Sequence, residues 1–287
     1  MTKSAGFTLV EMVIVIVISG ILAAVVFRNV ARPIEGFVVT ERRAELVDSA
    51  ETALSRMTRE MRLALPNSIR IQGNAIELLR TLNGGRYRAQ LDTGIGTSDV
   101  LDFALAADSF DVLGPLQNFG AIAGGGGSQQ DCIDGISDCL VIFNTGNINA
   151  NAYNGDNMGA IVAASATSIS FTRTPAAAFP LQSPNQRFHI VDTPVSFVCD
   201  LASGEIRRYA DYSIAPGQTV PPVGGGAGTL VANRVTGCTF SFDPGTATRS
   251  GLVTIAITLA QGSAVERLDN QVGVIRLLQQ VHVPNLP

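Results

Sequence analysis

Residues 7–27 read FTLVEMVIVIVISGILAAVVF, an apolar run of 21 residues interrupted by a single charge, Glu11. At about 1.5 Å of rise per residue, such a run makes a helix roughly 31 Å long, the thickness of a bilayer's hydrocarbon core. No other stretch constrains the fold as strongly, because a segment this apolar is unstable in water unless lipid or protein covers it. It predicts a membrane-spanning helix preceded by a short polar leader, Met1–Gly6 (MTKSAG). A removable secretory signal fits less well. Such a signal carries two small residues one position apart just after its apolar core, and no such pair stands between Ser19 and Val26. Lys3 flanks one end of the run and Arg28 and Arg32 the other, so the positive-inside count does not set the topology.

Helical periodicity continues past the apolar run with a new face. Leu46, Ala50, Ala53, Leu54, Met57, Met61, Ala64 and Leu65 recur at three- and four-residue steps, and Arg42, Arg43, Glu45, Asp48, Glu51, Arg56, Arg59 and Arg62 fill most of the remainder. This pattern predicts an amphipathic helix over 28–65 with one stripe to bury against a sheet. Pro33 removes a backbone donor and Gly36 adds softness, so a kink or a locally melted turn is expected there. Pro66 marks the end, since the residue before a proline is pushed out of the α region. Between Arg28 and Arg70 stand eight arginines and six acids, a solvated face and not a nucleic-acid patch.

From Ser68 onward, short β-branched runs alternate with Gly, Asn and Pro. Expected strands are Ser68–Gln72 and Ala75–Leu82 around a Gly73-Asn74 hairpin turn, then Val100–Leu105, Cys139–Phe143, Thr167–Arg173, Arg187–Val191, Val195–Cys199, Glu205–Tyr209, Cys238–Phe242 and Leu252–Leu259. Val272–Val283 is apolar and reads as either strand or helix. Gly124–Gly127, Asn144–Asn157 and Gly224–Gly226 read as loops. One long helix followed by strands argues an α+β fold, the helix laid on an antiparallel sheet. Four cysteines allow three pairings. Proximity and the strand reading favour Cys132–Cys139, which closes a short loop, and Cys199–Cys238, which joins two strands.

The composition excludes several functions. A formal charge of −4 provides no global positive field for nucleic acid, and 46% hydrophobic residues exclude a disordered chain. Only His189 and His282 are present, with no G-x-S-x-G, H-E-x-x-H or phosphate-loop motif. No enzymatic constellation emerges and no cofactor is expected. The remaining metal idea is calcium. Asp131, Asp134 and Asp138 offer clustered carboxylates, and the Asn-rich run adds oxygens. Turn formation is the commoner use of such residues, so the expectation is no metal, with those three aspartates as the candidate ligands.

Gly6-Phe7-Thr8-Leu9-Val10-Glu11 followed by an unbroken apolar run resembles the class III signal of type IV pilins and type II secretion pseudopilins. The resemblance implies cleavage between Gly6 and Phe7 by a prepilin peptidase and N-methylation of Phe7. It also implies that Glu11 pairs with the amino group of a neighbouring subunit during assembly. A carboxylate inside a membrane helix costs on the order of 2.5–3.5 kcal/mol on insertion scales, which agrees with such a purpose. The domains would then be a leader (1–6), a transmembrane half-helix (7–27), an amphipathic half-helix (28–65) and a β-rich periplasmic or extracellular domain (66–287). Met57–Ile71 (MTREMRLALPNSIRI) and Leu277–Pro287 (LLQQVHVPNLP) further resemble MshO-type minor pilins of the MSHA pilus, whose larger relatives are the J-type pseudopilins. The implied partners are prepilin peptidase, other major and minor pilins, an inner-membrane assembly platform and the lipid bilayer. The rival readings are a J-type pseudopilin of type II secretion and a membrane-tethered adhesin that uses the Asn- and Gly-rich loops.

Overall fold

The computed structural model describes residues 8–92, 98–104, 108–173, 178–245, 249–261 and 273–285, with the side chains of 28–39 left aside. The chain separates into two units. The first comprises Met1–Asp48 with Ala260–Ile275, and the second Ser49–Leu259 with Arg276–Pro287.

Helix α1 (Leu9–Arg62) is 54 residues long and runs through both units. The helix runs unbroken past Pro33 and Gly36, so the locally melted turn, one of the two expected outcomes there, does not form. A proline removes one backbone donor, and the intact hydrogen-bonded turns on either side carry the helix across that local loss. In the first unit every described side chain of Leu9–Phe27 is exposed, and this segment is long and apolar enough to cross a membrane.

In the second unit the end of α1 buries the stripe its periodicity foretold. Ala50, Ala53, Met57 and Met61 are fully buried, with Leu54 nearly so. The helix stops three residues short of the expected Leu65. There the backbone turns to pair with a strand: Leu65 N–H donates to the Leu79 carbonyl at 2.8 Å and Thr81 N–H to that of Leu63 at 2.7 Å. Ion pairing fastens the same end, with Arg208 Nε 2.8 Å from Glu60 Oε1.

The strands are β1 (Arg70–Gln72), β2 (Ala75–Arg86), β3 (Ser109–Asp111), β4 (Cys139–Ile142), β5 (Met158–Ala164), β6 (Ser168–Thr172), β7 (Arg187–Asp200), β8 (Glu205–Tyr209), β9 (Thr229–Ala232), β10 (Val235–Asp243), β11 (Gly251–Ala260) and β12 (Val274–Val283), with a short helix α2 (Gln129–Ile133) before β4. Nine strands form one sheet in the order β1-β2-β7-β4-β5-β6-β3, with β8 and β9 branching from β7; β10-β11-β12 form a second sheet. The pairings described residue by residue are antiparallel. In β4 the alternation sends Leu140 and Ile142 into an aromatic cluster around Tyr87, Phe110, Phe171 and Phe188, and Cys139 and Val141 into a second cluster with Leu65, Leu79 and Met158. Both faces are covered, so the strand reads as an unbroken apolar run.

Several strand expectations need correction. Arg187–Val191 and Val195–Cys199 are one strand, β7, because the Asp192-Thr193-Pro194 break is absorbed as a bulge: Thr81 faces Val191 while Leu79 faces Pro194. Among its described residues, Val100–Leu105 is not a strand. Asp102 instead accepts the Ala104 N–H at 2.7 Å, and the Leu101 N–H reaches the Arg88 carbonyl at 3.0 Å, local bonds that compete with a ladder. Strands β3, β5 and β9 were not foreseen. From Val274 onward the ambiguous C-terminal segment is a strand.

Candidate processing and assembly site

Gly6 and Phe7, the two residues of the expected cleavage site, lie outside the described residues. The geometry begins at Thr8. Its N–H and its hydroxyl both donate to Glu11 Oε2, at 3.0 and 2.9 Å, and the Glu11 N–H donates to Thr8 Oγ1 at 3.3 Å. This is a reciprocal capping box, in which a threonine before the first turn and a glutamate three residues on satisfy each other's orphan groups. The helix N-terminus carries partial positive charge, which favours the Glu11 carboxylate there. Glu11 therefore has local partners at the head of an otherwise apolar helix. Sequence reasoning singled out Glu11 and passed over Thr8, although the T-x-x-E spacing before an apolar run was legible.

The other candidate residues serve the fold. Cys132 and Cys139 are bonded, with Cα atoms 5.1 Å apart, and Cys199 and Cys238 are bonded with theirs at 6.6 Å. The second bridge ties β7 of the large sheet to β10 of the small one. Asp131 caps α2, accepting N–H bonds from Gly127 at 2.7 Å and Ser128 at 3.0 Å, and these hold its carboxyl below the usual range. Asp134 accepts from Gln130 Nε2 at 3.1 Å. Asp138 is buried, accepts the Ala123 N–H at 2.8 Å, and is pushed up to about 6 by burial and by the nearby Asp192 charge. Each carboxylate thus has its own separate duty, and no group of three or more His, Cys, Asp or Glu side chains converges as metal ligands among the described residues. Burial pushes the His189 imidazole down to about 4, so it is neutral at pH 7. Its Nε2 has no hydrogen-bond partner among the described residues.

A buried polar network holds the Pro-rich segment 213–223 in place. Glu77 is 2% exposed and receives Arg70 at 2.6 Å and the Ser196 hydroxyl at 3.2 Å. Arg70 also donates to the carbonyls of Ala215 and Pro216, and its guanidinium lies 3.6 Å above the centre of the Tyr153 ring.

Residues 1–27 match the family model described as the prokaryotic N-terminal methylation motif. No curated protein matches the chain, and no solved structure does. The motif supports a type IV pilin- or pseudopilin-like subunit, processed by a prepilin peptidase, anchored through its N-terminal apolar helix and assembled with other pilins. Its family is structural, not catalytic.

Proposed function

We propose that this chain is a minor pilin, similar to the MshO-type subunit of MSHA pilus biogenesis, that acts in the initiation or tip assembly of a filament. It is made with a leader, residues 1–6, that is removed between Gly6 and Phe7, after which Phe7 is N-methylated. Residues 7–27 hold it in the bacterial inner membrane, the rest of α1 continues the helix to Arg62, and 66–287 form a periplasmic head. The observation that carries this reading is the methylation-motif match over residues 1–27, combined with a Thr8–Glu11 box at the head of the apolar helix. Removing the leader takes away Lys3 and leaves 19 arginines against 24 acids, a net charge of −5. The new amino group of Phe7 then stands one residue before Thr8 in the sequence, and the Glu11 carboxylate is already oriented by Thr8. In an assembling filament Glu11 exchanges its own Thr8 for the amino group of a neighbouring Phe7, trading one satisfied arrangement for another.

The test is the mass of the N-terminal peptide from membranes and from sheared surface material. A chain that begins at monomethylated Phe7 is expected. An intact Met1, or a cut beyond the apolar run, overturns the reading. The initiation role is tested separately by piliation of a deletion strain, where normal pili would refute it. If the strain instead loses protein secretion and keeps its pili, the subunit serves a secretion machine.

A further inference from the structure

We infer that the recess between the end of α1 and β12 is a carboxylate receptor that takes an acidic side chain from a neighbouring subunit. The recess is about 450 Å³ and is lined by Ser55, Thr58, Arg59, Arg62, Leu63 and Gln279. Its polar lining is rich in donors: two guanidinium groups, two hydroxyls and a carboxamide, with no acid among them. Arg59 and Arg62 are exposed and make no ion pair among the described residues. Elsewhere in the same unit several arginines have an acid: Arg70 with Glu77, Arg80 with Asp192, Arg207 with Glu205 and Arg208 with Glu60. Arg59 and Arg62 stand together at one recess with none among its described lining residues.

Two further observations point to an occupant. Thr58 is 9% exposed, and its hydroxyl has no hydrogen-bond partner among the described residues, an arrangement that costs the fold a desolvated polar group. On β12, Gln279 shares a strand face with Val281 and Val283. Those two are buried, whereas Gln279 is exposed, so the packed face opens at the recess. An incoming carboxylate supplies the acid the recess lacks, since it accepts from both arginines in the forked geometry that guanidinium favours. A lone oxyanion would fill a small part of 450 Å³. Leu63, 47% exposed at the rim, adds an apolar contact for the methylenes of a glutamate or aspartate. That the partner is another subunit rests on the function proposed above; the receptor itself does not.

The experiment uses the full chain in detergent micelles and a fluorescent hexaglutamate peptide, read by polarisation. Hexaglutamate is expected to bind, with affinity that falls as salt rises and falls about tenfold for each arginine removed in R59A and R62A. R59K/R62K, which keeps the charge and loses the fork, is expected to lie between. The three variants change exposed residues and should melt like the parent, which guards against misfolding. Three results would overturn the inference: no binding, binding indifferent to the arginines, or equal displacement by inorganic phosphate or by anionic phosphatidylglycerol vesicles. None of these bears on the mass of the N-terminal peptide, so the receptor and the processing reading fail separately.

Discussion

Asp138 makes the stability of the head depend on pH in a direction opposite to most carboxylates. Its side chain is 5% exposed and titrates at about 6 in the fold, against 3.8 for an ordinary aspartate. Burial and the Asp192 charge outweigh the help it receives from the Ala123 N–H and from Arg80. With the folded value raised above the unfolded one, the stabilisation is complete below about pH 4 and is lost as pH rises through 6. Each tenfold displacement of an ionisation equilibrium is 1.36 kcal/mol, so the ionised carboxylate costs the fold on the order of 3 kcal/mol at pH 8. Asp138→Asn removes that charge and keeps an oxygen to accept the Ala123 N–H. At pH 8 it should raise the melting temperature of the full chain in micelles, followed by β-sheet circular dichroism, by about 6–12 °C, given about 2–4 °C per kcal/mol at this size. Below about pH 3.5, where Asp138 is protonated in both states, the two proteins should melt together. An Asn variant that is less stable at both pH values would refute the reasoning, because it would mean that the carboxylate's hydrogen bond outweighs its desolvation.

Other substitutions test the packing and the cross-links. Met57→Ala and Met61→Ala, on the buried stripe of α1, should each cost about 2–5 kcal/mol in denaturant titrations, while exposed Glu51→Ala should stay within about 0.5 kcal/mol. Arg70→Ala leaves Glu77 buried without its cation and should cost about 3–5 kcal/mol; a near-neutral result would show that Ser196 alone satisfies the carboxylate. Loss of Cys199–Cys238, with a separation of 39 residues, should destabilise by about 4 kcal/mol, against about 2 kcal/mol for Cys132–Cys139 with a separation of 7. The paired Ser variants measured under the same conditions check that order.

The helix was legible because its signals repeat. A run of 21 residues with one charge and an eight-member stripe at steps of three and four survive any single misreading, and Met57 and Met61 are buried where the period puts them. The strands of the head were less legible for a physical reason. Residues Met158–Ala164 (MGAIVAA) form β5 from small residues of weak strand preference, held between β4 and β6 by ladder bonds, and tertiary pairing overrides propensity there. Pro194 reads as a strand breaker, yet it stands inside β7 because the facing strand accommodates a bulge. At the N-terminal site, Glu11 announced itself as a charge in an apolar run, whereas Thr8 was signalled only by its T-x-x-E spacing to Glu11.

The adhesin alternative uses the Asn- and Gly-rich loops, and deleting the Asn-rich segment 144–157 would be an obvious test. That deletion would mislead. Asn144 is buried, donates to the Pro66 carbonyl at 2.7 Å and accepts the Ala152 N–H at 2.9 Å. Asn67 donates back to the Asn144 carbonyl at 2.9 Å, and buried Asn157 donates to the Ile142 carbonyl, also at 2.9 Å. These amides tie the chain just after α1 to the end of β4, and removing them leaves several backbone groups without partners at about 1–3 kcal/mol each. A deletion strain that lost both pili and attachment would therefore report an unfolded head and decide nothing. The tip is different. Asn147, Ile148 and Asn149 are exposed, Ile148 at 87%, and their turn closes through the backbone, Ala150 N–H to the Asn147 carbonyl at 2.9 Å. Asn147→Ser with Ile148→Ser should leave the fold, the processed mass and the number of pili unchanged. Under an assembly role attachment stays unchanged as well; attachment lost while pili persist would move the adhesin reading to the front.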